Sequence, residues 1–372
     1  MKPKIVKNEE TNDIHISGDI LEAIISRVPL IDLLPAYIVS QDWRCAVRSS
    51  LKNASCRKPW LIAHIQNLRS FSLVARCVFD PESGVWSEVP CANEQPFICV
   101  PIRSTDSNLL YMLTPLKFSF SLDPLKAKWH HVQGPKISRL DPIVAVIGSH
   151  IVIAGGSNDF EDDPLAVEVY DNKFQQWELC QSMPNFYKDS ASTTWLSIAV
   201  SNEKMFLLEK SSGTLCTFDP NIKSWGDIFD LKPNDSIFLS LIGFSNNRLL
   251  LIGLIGNTEN VESLKIWEVN CDTFVCKEVG EMPSKMLEGL IDSCSSPSSI
   301  NISMAEDMIY IYNSENPNVI IHCEISKCSS CYWGSIQNSI VNDQYQMHRF
   351  TFTCSKVGIN DLQKAFGLST LR

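Results

Sequence analysis

The chain has 372 residues, 44% of them apolar and 20% charged, which suits one domain of about 300 residues with an appendage rather than a single small core. Its formal charge is −10 and no basic run exceeds Arg57-Lys58, so a phosphate-neutralising surface for nucleic acid is excluded. The segment 1–10 lacks the apolar core of a signal peptide, and the longest aliphatic run, Leu249 to Ile255, fits a strand and not a bilayer. The expectation is a soluble cytoplasmic or nuclear protein with no membrane association. Its 14 cysteines are expected to be reduced and mostly buried, and the Asn-x-Ser frames at Asn53, Asn234 and Asn301 to go unused.

Residues 1–14 are charged and aperiodic and are expected to be disordered. Residues 15–60 read as three short helices. Leu21, Ile24, Ile25 and Val28 lie on one helical face, with Ser17 as candidate cap, Asp19 and Glu22 in the first turn, and Pro29 as the stop. A second helix is expected over Ile31 to Ala36 behind Asp32, and a third carries Val39, Trp43, Ala46 and Val47 on one side. Three helices this short bury little surface alone and leave apolar residues over, as a docking module does. Residues 61–70 are expected to be a linker, with Trp60 packed under the junction.

From 71 to 358 the pattern is strand. Phe79-Asp80-Pro81-Glu82-Ser83-Gly84-Val85-Trp86 sets a frame of apolar residue, Asp, turn and Trp. The frame returns from Leu122-Asp123 to Trp129, from Tyr170-Asp171 to Trp177, and from Phe218-Asp219 to Trp225. Degraded copies run from Val269-Asn270 to Cys276 and from Ile325-Ser326 to Tyr332-Trp333, and successive turn positions are 43, 48, 48, 51 and 56 residues apart. Each copy is a β-hairpin, and a period near 50 residues belongs to four-stranded sheets stacked radially. Apolar strand pairs precede the later hairpins, among them Phe97 to Val100 with Leu109 to Leu113 and Ile143 to Ile147 with Ile151 to Ala154. The first unit is short of strands. The β-rich run His348 to Cys354 supplies one and closes a ring of six. Asn360 to Phe366, within the tail 359–372, has helical composition and is expected on the outside.

No nucleotide-binding, nucleophile-elbow or zincin frame occurs. Cys323, Cys328 and Cys331 could supply three soft metal ligands, but a fourth would have to come from His322 or Cys354, and alternation along the strand points the three to opposite faces; buried thiols are the expectation, with no metal. Loops after the second strand of each blade are acidic or amide-rich. They make Asp159, Phe160, Glu161, Asp162, Glu259, Glu262 and Glu315 candidates for an acidic rim that selects a basic patch on a protein, against the plainer role of solvated loop charge.

The run Gly18 to Leu30, then Asp32-Leu33-Leu34 and Val39 to Arg44, resembles an F-box, with Ser17-Gly18 standing where that family has Leu-Pro. The Asp-to-Trp hairpins, with Gly155-Gly156 after one second strand, resemble kelch repeats. The chain is therefore identified as similar to plant F-box/kelch-repeat proteins: a small all-α F-box followed by an all-β six-bladed kelch propeller closed by the C-terminal strand. That resemblance implies a non-catalytic substrate adaptor of an SCF-type ubiquitin ligase, without cofactors. Its F-box would bind a Skp1-like protein, and through it a cullin-RING ligase, by Leu21, Ile25, Pro29, Leu33, Val39 and Trp43. The propeller would hold the protein to be ubiquitinated, for which some relatives suggest an enzyme of phenylpropanoid or flavonoid synthesis. The same six side chains could instead only hold the helices together. The rival functions are a kelch scaffold without ligase coupling and a propeller enzyme of the copper-oxidase type, which would need histidines converging at one end of the channel.

Overall fold

The computed structural model describes residues 18–53, 57–90, 100–156, 163–291, 296–326, 330–340 and 348–367. The expected disordered segment 1–14, the candidate cap Ser17, Phe97 to Cys99, Asp159 to Asp162, Cys328 and the last five residues of the tail lie outside them.

Three helices lead, α1 (Asp19–Ile25), α2 (Leu33–Val39) and α3 (Gln41–Asn53). Asp32 precedes α2 but makes no capping hydrogen bond, and that helix begins and ends later than its apolar spacing predicts. The hydroxyl of Ser40 accepts the Trp43 N–H at 3.2 Å and opens α3. Six sheets follow, five of them four-stranded or larger. In the first blade the strands order as His348–Ser355, Trp60–Asn67, Leu73–Asp80 and Val85–Val89, so both ends of the chain close the ring. The segment 61–70 is thus largely strand, not linker. Trp60 to Ile65 are buried, and their alternate side chains serve two cores, which a linker does not do.

The hairpins carry the ring. In blades 1, 3 and 4 the carboxylate of Asp80, Asp171 or Asp219 accepts the backbone N–H two residues on, at 2.9, 2.7 and 2.8 Å, and fixes the turn. The apolar residue before each Asp then pairs with the Trp: Phe79 with Trp86, Tyr170 with Trp177, Phe218 with Trp225, at ring separations of 5.3, 5.2 and 5.0 Å. Each indole N–H reaches out of its own sheet to a carbonyl of the preceding blade. Trp86 donates to Gln337 at 3.3 Å, Trp177 to Gln133 at 2.7 Å and Trp225 to Gln181 at 3.1 Å.

The degraded repeats differ. Val269 pairs with Cys276 and Ile325 with Cys331, so Cys331, not Tyr332 or Trp333, occupies the Trp position of blade 6. The sixth turn is one residue shorter, which shifts the pairing. Only a small side chain fits there, because Gly280 of blade 5 lies so close that a Cβ on it would come within 2.6 Å of the Cys331 sulfur. Gly155 and Gly156 both adopt left-handed backbone, φ +65° and +67°, and a Cβ on either would meet backbone atoms at 2.5–2.6 Å. Their turn is held from beneath by Arg139, which donates to the Gly155 carbonyl and pairs with Glu168 at 3.1 Å, both side chains wholly buried.

Blades 1 and 2 are joined by a buried histidine. His64 Nε2 donates to the Pro124 carbonyl at 3.1 Å, and Arg76 donates to the Leu125 carbonyl at 2.9 Å. Burial, reinforced by the neighbouring Arg76 guanidinium, lowers the His64 pKa to about 3. The unfolded chain binds this proton near pH 6.5, so stability present above that value is lost as pH falls toward 3. The expected loss between pH 7 and pH 4 is about 3 kcal/mol from this residue. Urea unfolding as a function of pH measures it, and His64→Gln, which can still donate to Pro124, is expected to flatten that part of the profile.

Candidate functional site

Two surfaces are candidates, and they lie at opposite ends of the propeller. The closing strand and the strand beside it fix this. Trp60, where the helical module enters, pairs with Ser355 at one end, whereas Arg349 and Phe350 pair with Gln66 and Ile65 at the other. Eight residues of strand set the two ends about 25 Å apart.

At the first end the helices do not stand free. Leu21, Ile25, Leu33 and Leu34 share one core with Trp60, Ile62 and Val78 of blade 1, Leu125 of blade 2, and Ile359 and Leu362 of the C-terminal helix. A further short helix, α4 (Ser284–Leu290), covers the core of the last two blades on the cup side, just before the cup-lining Ser298 and Ser299. The C-terminal one, α5 (Ile359–Ala365), packs against α2 rather than lying outside. Its start is pinned by Asp361, which accepts the Gly358 N–H at 3.1 Å and pairs with Lys126 at 2.8 Å, while Lys126 also pairs with Asp123 of the blade 2 turn at 2.7 Å. Composition showed a helix here. That Ile359 and Leu362 point inward follows only from where the closing strand ends.

The six residues expected to face a partner therefore divide. Leu21 and Ile25 are 2% exposed and Leu33 is wholly buried, so these three are spent inside the chain; Pro29 and Trp43 are half-buried, and Val39 is 61% exposed. The apolar side chains left outside are Ile20 (68% exposed) and Ile24 (48%) on α1, with Ile38 (43%) and Val39 on α2. Ile24 was placed by periodicity on the same face as Leu21. A helix flanked by two neighbours buries only part of an apolar stripe, and the rest stays exposed.

At the second end the inner strands surround a cup of about 520 Å³. Among the described residues blade 2 shows three strands, and beside them Arg103 makes an isolated bridge to Tyr111. The chain that follows crosses the axis. The Ser107 hydroxyl accepts the Met304 N–H at 2.9 Å, its carbonyl accepts the Cys354 N–H at 2.7 Å, and Thr105 donates to the Val144 carbonyl. Three inner strands are thereby tied to one segment, and the channel becomes a blind cup. Its described lining combines Ser, Thr and Asn with aliphatic and aromatic side chains from the inner strands and includes no histidine or cysteine. Of the acidic candidates, Glu315 lines the rim and accepts the Ser296 N–H at 3.0 Å, Glu259 and Glu262 are exposed on the blade 5 loop and the strand after it, and Asp159 to Asp162 lie outside the described residues. Three cations that the sequence reading passed over, Arg103, Lys210 and Arg349, also line it. They are isolated in sequence, so no basic run marks them.

A three-helix module fused through a common core to a six-bladed propeller, with an exposed apolar face at one end and a polar cup at the other, defines a two-ended binding protein. No family model matches the chain. It is 40% identical over 364 residues to the F-box/kelch-repeat protein At1g23390 of Arabidopsis thaliana, covering 94% of this chain and 92% of that one. A putative F-box/kelch-repeat protein of the same plant, At1g27420, is 25% identical over 126 residues, 34% of each chain. Human Kelch-like protein 21 is 26% identical over 125 residues, 32% of this chain and 21% of that protein. The chain belongs to the F-box/kelch-repeat family. Among the described residues no helix is long and apolar enough to cross a membrane.

The shared core yields a test. Leu362 is wholly buried in it, and Leu362→Ala is expected to cost about 2–5 kcal/mol. Thermal unfolding measures the loss, and limited proteolysis is expected to release the helical module from the variant and not from the wild type.

Proposed function

We propose that the chain is a substrate-recognition adaptor of an SCF-type ubiquitin ligase, its helical module docking a Skp1-like protein and its cup face, with Glu259, Glu262 and Glu315 on or near the rim, holding the protein to be ubiquitinated. Membership of the family supports the assignment. The single observation that carries it is the exposed apolar set of Ile20, Ile24, Ile38 and Val39 on helices anchored to the propeller at the end away from the cup. Docking there leaves the cup open. The chain then performs no bond chemistry; it raises the effective concentration of substrate near the charged ubiquitin-transferring enzyme. The substrate class suggested by the resemblance remains an enzyme of phenylpropanoid or flavonoid synthesis.

In this reading Val39, Pro29 and Trp43 retain a role at the interface, with Ile20, Ile24 and Ile38 in place of Leu21, Ile25 and Leu33. Each apolar side chain buried on docking contributes about 1.5–3 kcal/mol, so an Ile24→Glu, Val39→Glu double variant is expected to lose Skp1 by well over tenfold. Co-purification from co-expressing cells measures retention, and circular dichroism checks that the fold survives. Retention by the double variant would overturn the docking face. A wild type that fails to retain Skp1 would leave the scaffold reading in place of the adaptor.

A further inference from the structure

The cup contains a guanidinium with no ion-pair partner among the described residues. Arg103 is spent on Asp141, with which it forms an ion pair. Lys210 is 6% exposed and donates to the carbonyls of Thr193 at 3.2 Å and Thr194 at 3.0 Å; Glu209 beside it is taken up by Ser211 and Ser212. Arg349 is half-buried, its backbone paired with Gln66, and its guanidinium has no hydrogen bond or ion pair among the described residues. Two further carboxylates line the cup, and neither reaches it: Glu315 accepts from Ser296, and Asp106 accepts from the backbone N–H of Ser107.

A half-buried guanidinium presents five fixed donors, and leaving them unmatched is costly. Such a group is kept where a ligand supplies the acceptors, and a planar guanidinium matches a carboxylate in bidentate fashion. Charge counting narrows the ligand. Three cations and three carboxylates line the cup, and once Arg103 and Asp141 pair, Arg349 and Lys210 stand against Asp106 and Glu315, neither of which makes an ion pair with the Arg349 guanidinium among the described residues. One negative charge fits beside Asp106 and Glu315; the second charge of a phosphate would face them at close range.

We propose that the cup binds a carboxylate of a peptide segment of the substrate, an Asp or Glu side chain or a chain terminus, with Arg349 as the bidentate partner and Lys210 as the supporting cation. The hydroxyls of Ser299, Ser303 and Thr351 also line the cup but donate within the chain, to Asn313, Phe352 and Ile102, which leaves the guanidinium as the donor open to the ligand. This deepens the adaptor reading and rests on it only for the word substrate, because binding in the cup does not require Skp1.

The test pans a random dodecapeptide phage library against the purified full chain and then measures the selected peptides by fluorescence anisotropy. The expected result is an Asp or Glu, or a free C-terminus, common to the selected peptides. Binding should weaken at least tenfold when that acid is replaced by its amide and in Arg349→Met, and should be unchanged in the Ile24→Glu, Val39→Glu variant. Arg349→Lys is expected to restore only part of it. Arg349→Met is also expected to melt no lower than the wild type, since an unmatched cation does not stabilise the free protein. Selected peptides without an acid would overturn the site, as would a lower melting temperature together with unchanged affinity in Arg349→Met. Tighter binding of the same peptides with phosphoserine in place of the acid would overturn the carboxylate assignment. A wild type that binds the peptides but fails to retain Skp1 would count against the adaptor reading alone.

Discussion

The ring depends on an indole that hydrogen-bonds outside its own sheet. A four-stranded sheet has two faces to cover, and in this chain the cover is an aromatic pair at the hairpin whose Trp N–H is satisfied by a carbonyl one blade back. Registration between blades is therefore set by direction as well as by contact. Where the indole is lost, the neighbour has adapted: Cys331 meets a glycine, and Cys276 packs in the core shared with Phe229 and Phe274. In blade 2 the register is shifted, Phe120 pairing with His130, so Trp129 falls outside the ladder and its N–H is buried without a partner among the described residues. That is also the blade with three strands among the described residues, and the chain after its isolated bridge, Thr105 to Ser107, bonds to inner strands of three other blades. One irregular blade thus makes a cup out of a channel.

The helical module and the propeller are one folding unit in the sense that matters for an adaptor. A core running from Leu21 through Trp60 to Leu362 leaves no swivel between them, and Tyr310 of blade 6 adds a hydrogen bond to the Pro59 carbonyl at 2.7 Å. Rigid attachment fixes the direction in which the cup points relative to whatever docks on α1 and α2. A tether would give a distribution of distances instead, and effective concentration falls as that distribution broadens.

Much of this was legible in the sequence, for local reasons. Asp80, Asp171 and Asp219 cap their own turns and the Trp residues follow at a fixed offset, so six blades and their closure by His348 to Ser355 could be read without tertiary information. The three helices were legible from apolar spacing. What spacing could not decide is which part of an apolar stripe is spent at home: Leu21 and Ile24 share a face, yet one is buried and the other exposed, because α3 and blade 1 cover only part of it. Trp60 to Asn67 read as linker because its hairpin partner lies past Phe71 and its other partner nearly three hundred residues away. The cup cations were invisible for the same reason. Arg103, Lys210 and Arg349 come from the plug, blade 4 and the closing strand, and only the ring brings them together.

That last fact links closure to recognition. Arg349 sits on the strand that completes blade 1, a few residues before the helix that clamps α2. The same stretch of chain closes the ring, places the cup's unmatched guanidinium and holds the docking helices. A chain that has not closed has neither a complete cup nor an anchored docking face. Because ring closure needs contacts of the largest sequence separation, it is slow to form by loop-closure entropy, and both surfaces become available together when it does. On the proposed adaptor reading, such a chain does not present a docked module attached to an unfinished recognition site. The arrangement gives a physical reason for putting the cation on the C-terminal strand rather than on any of the four other described inner strands, which pair with their own sequence neighbours.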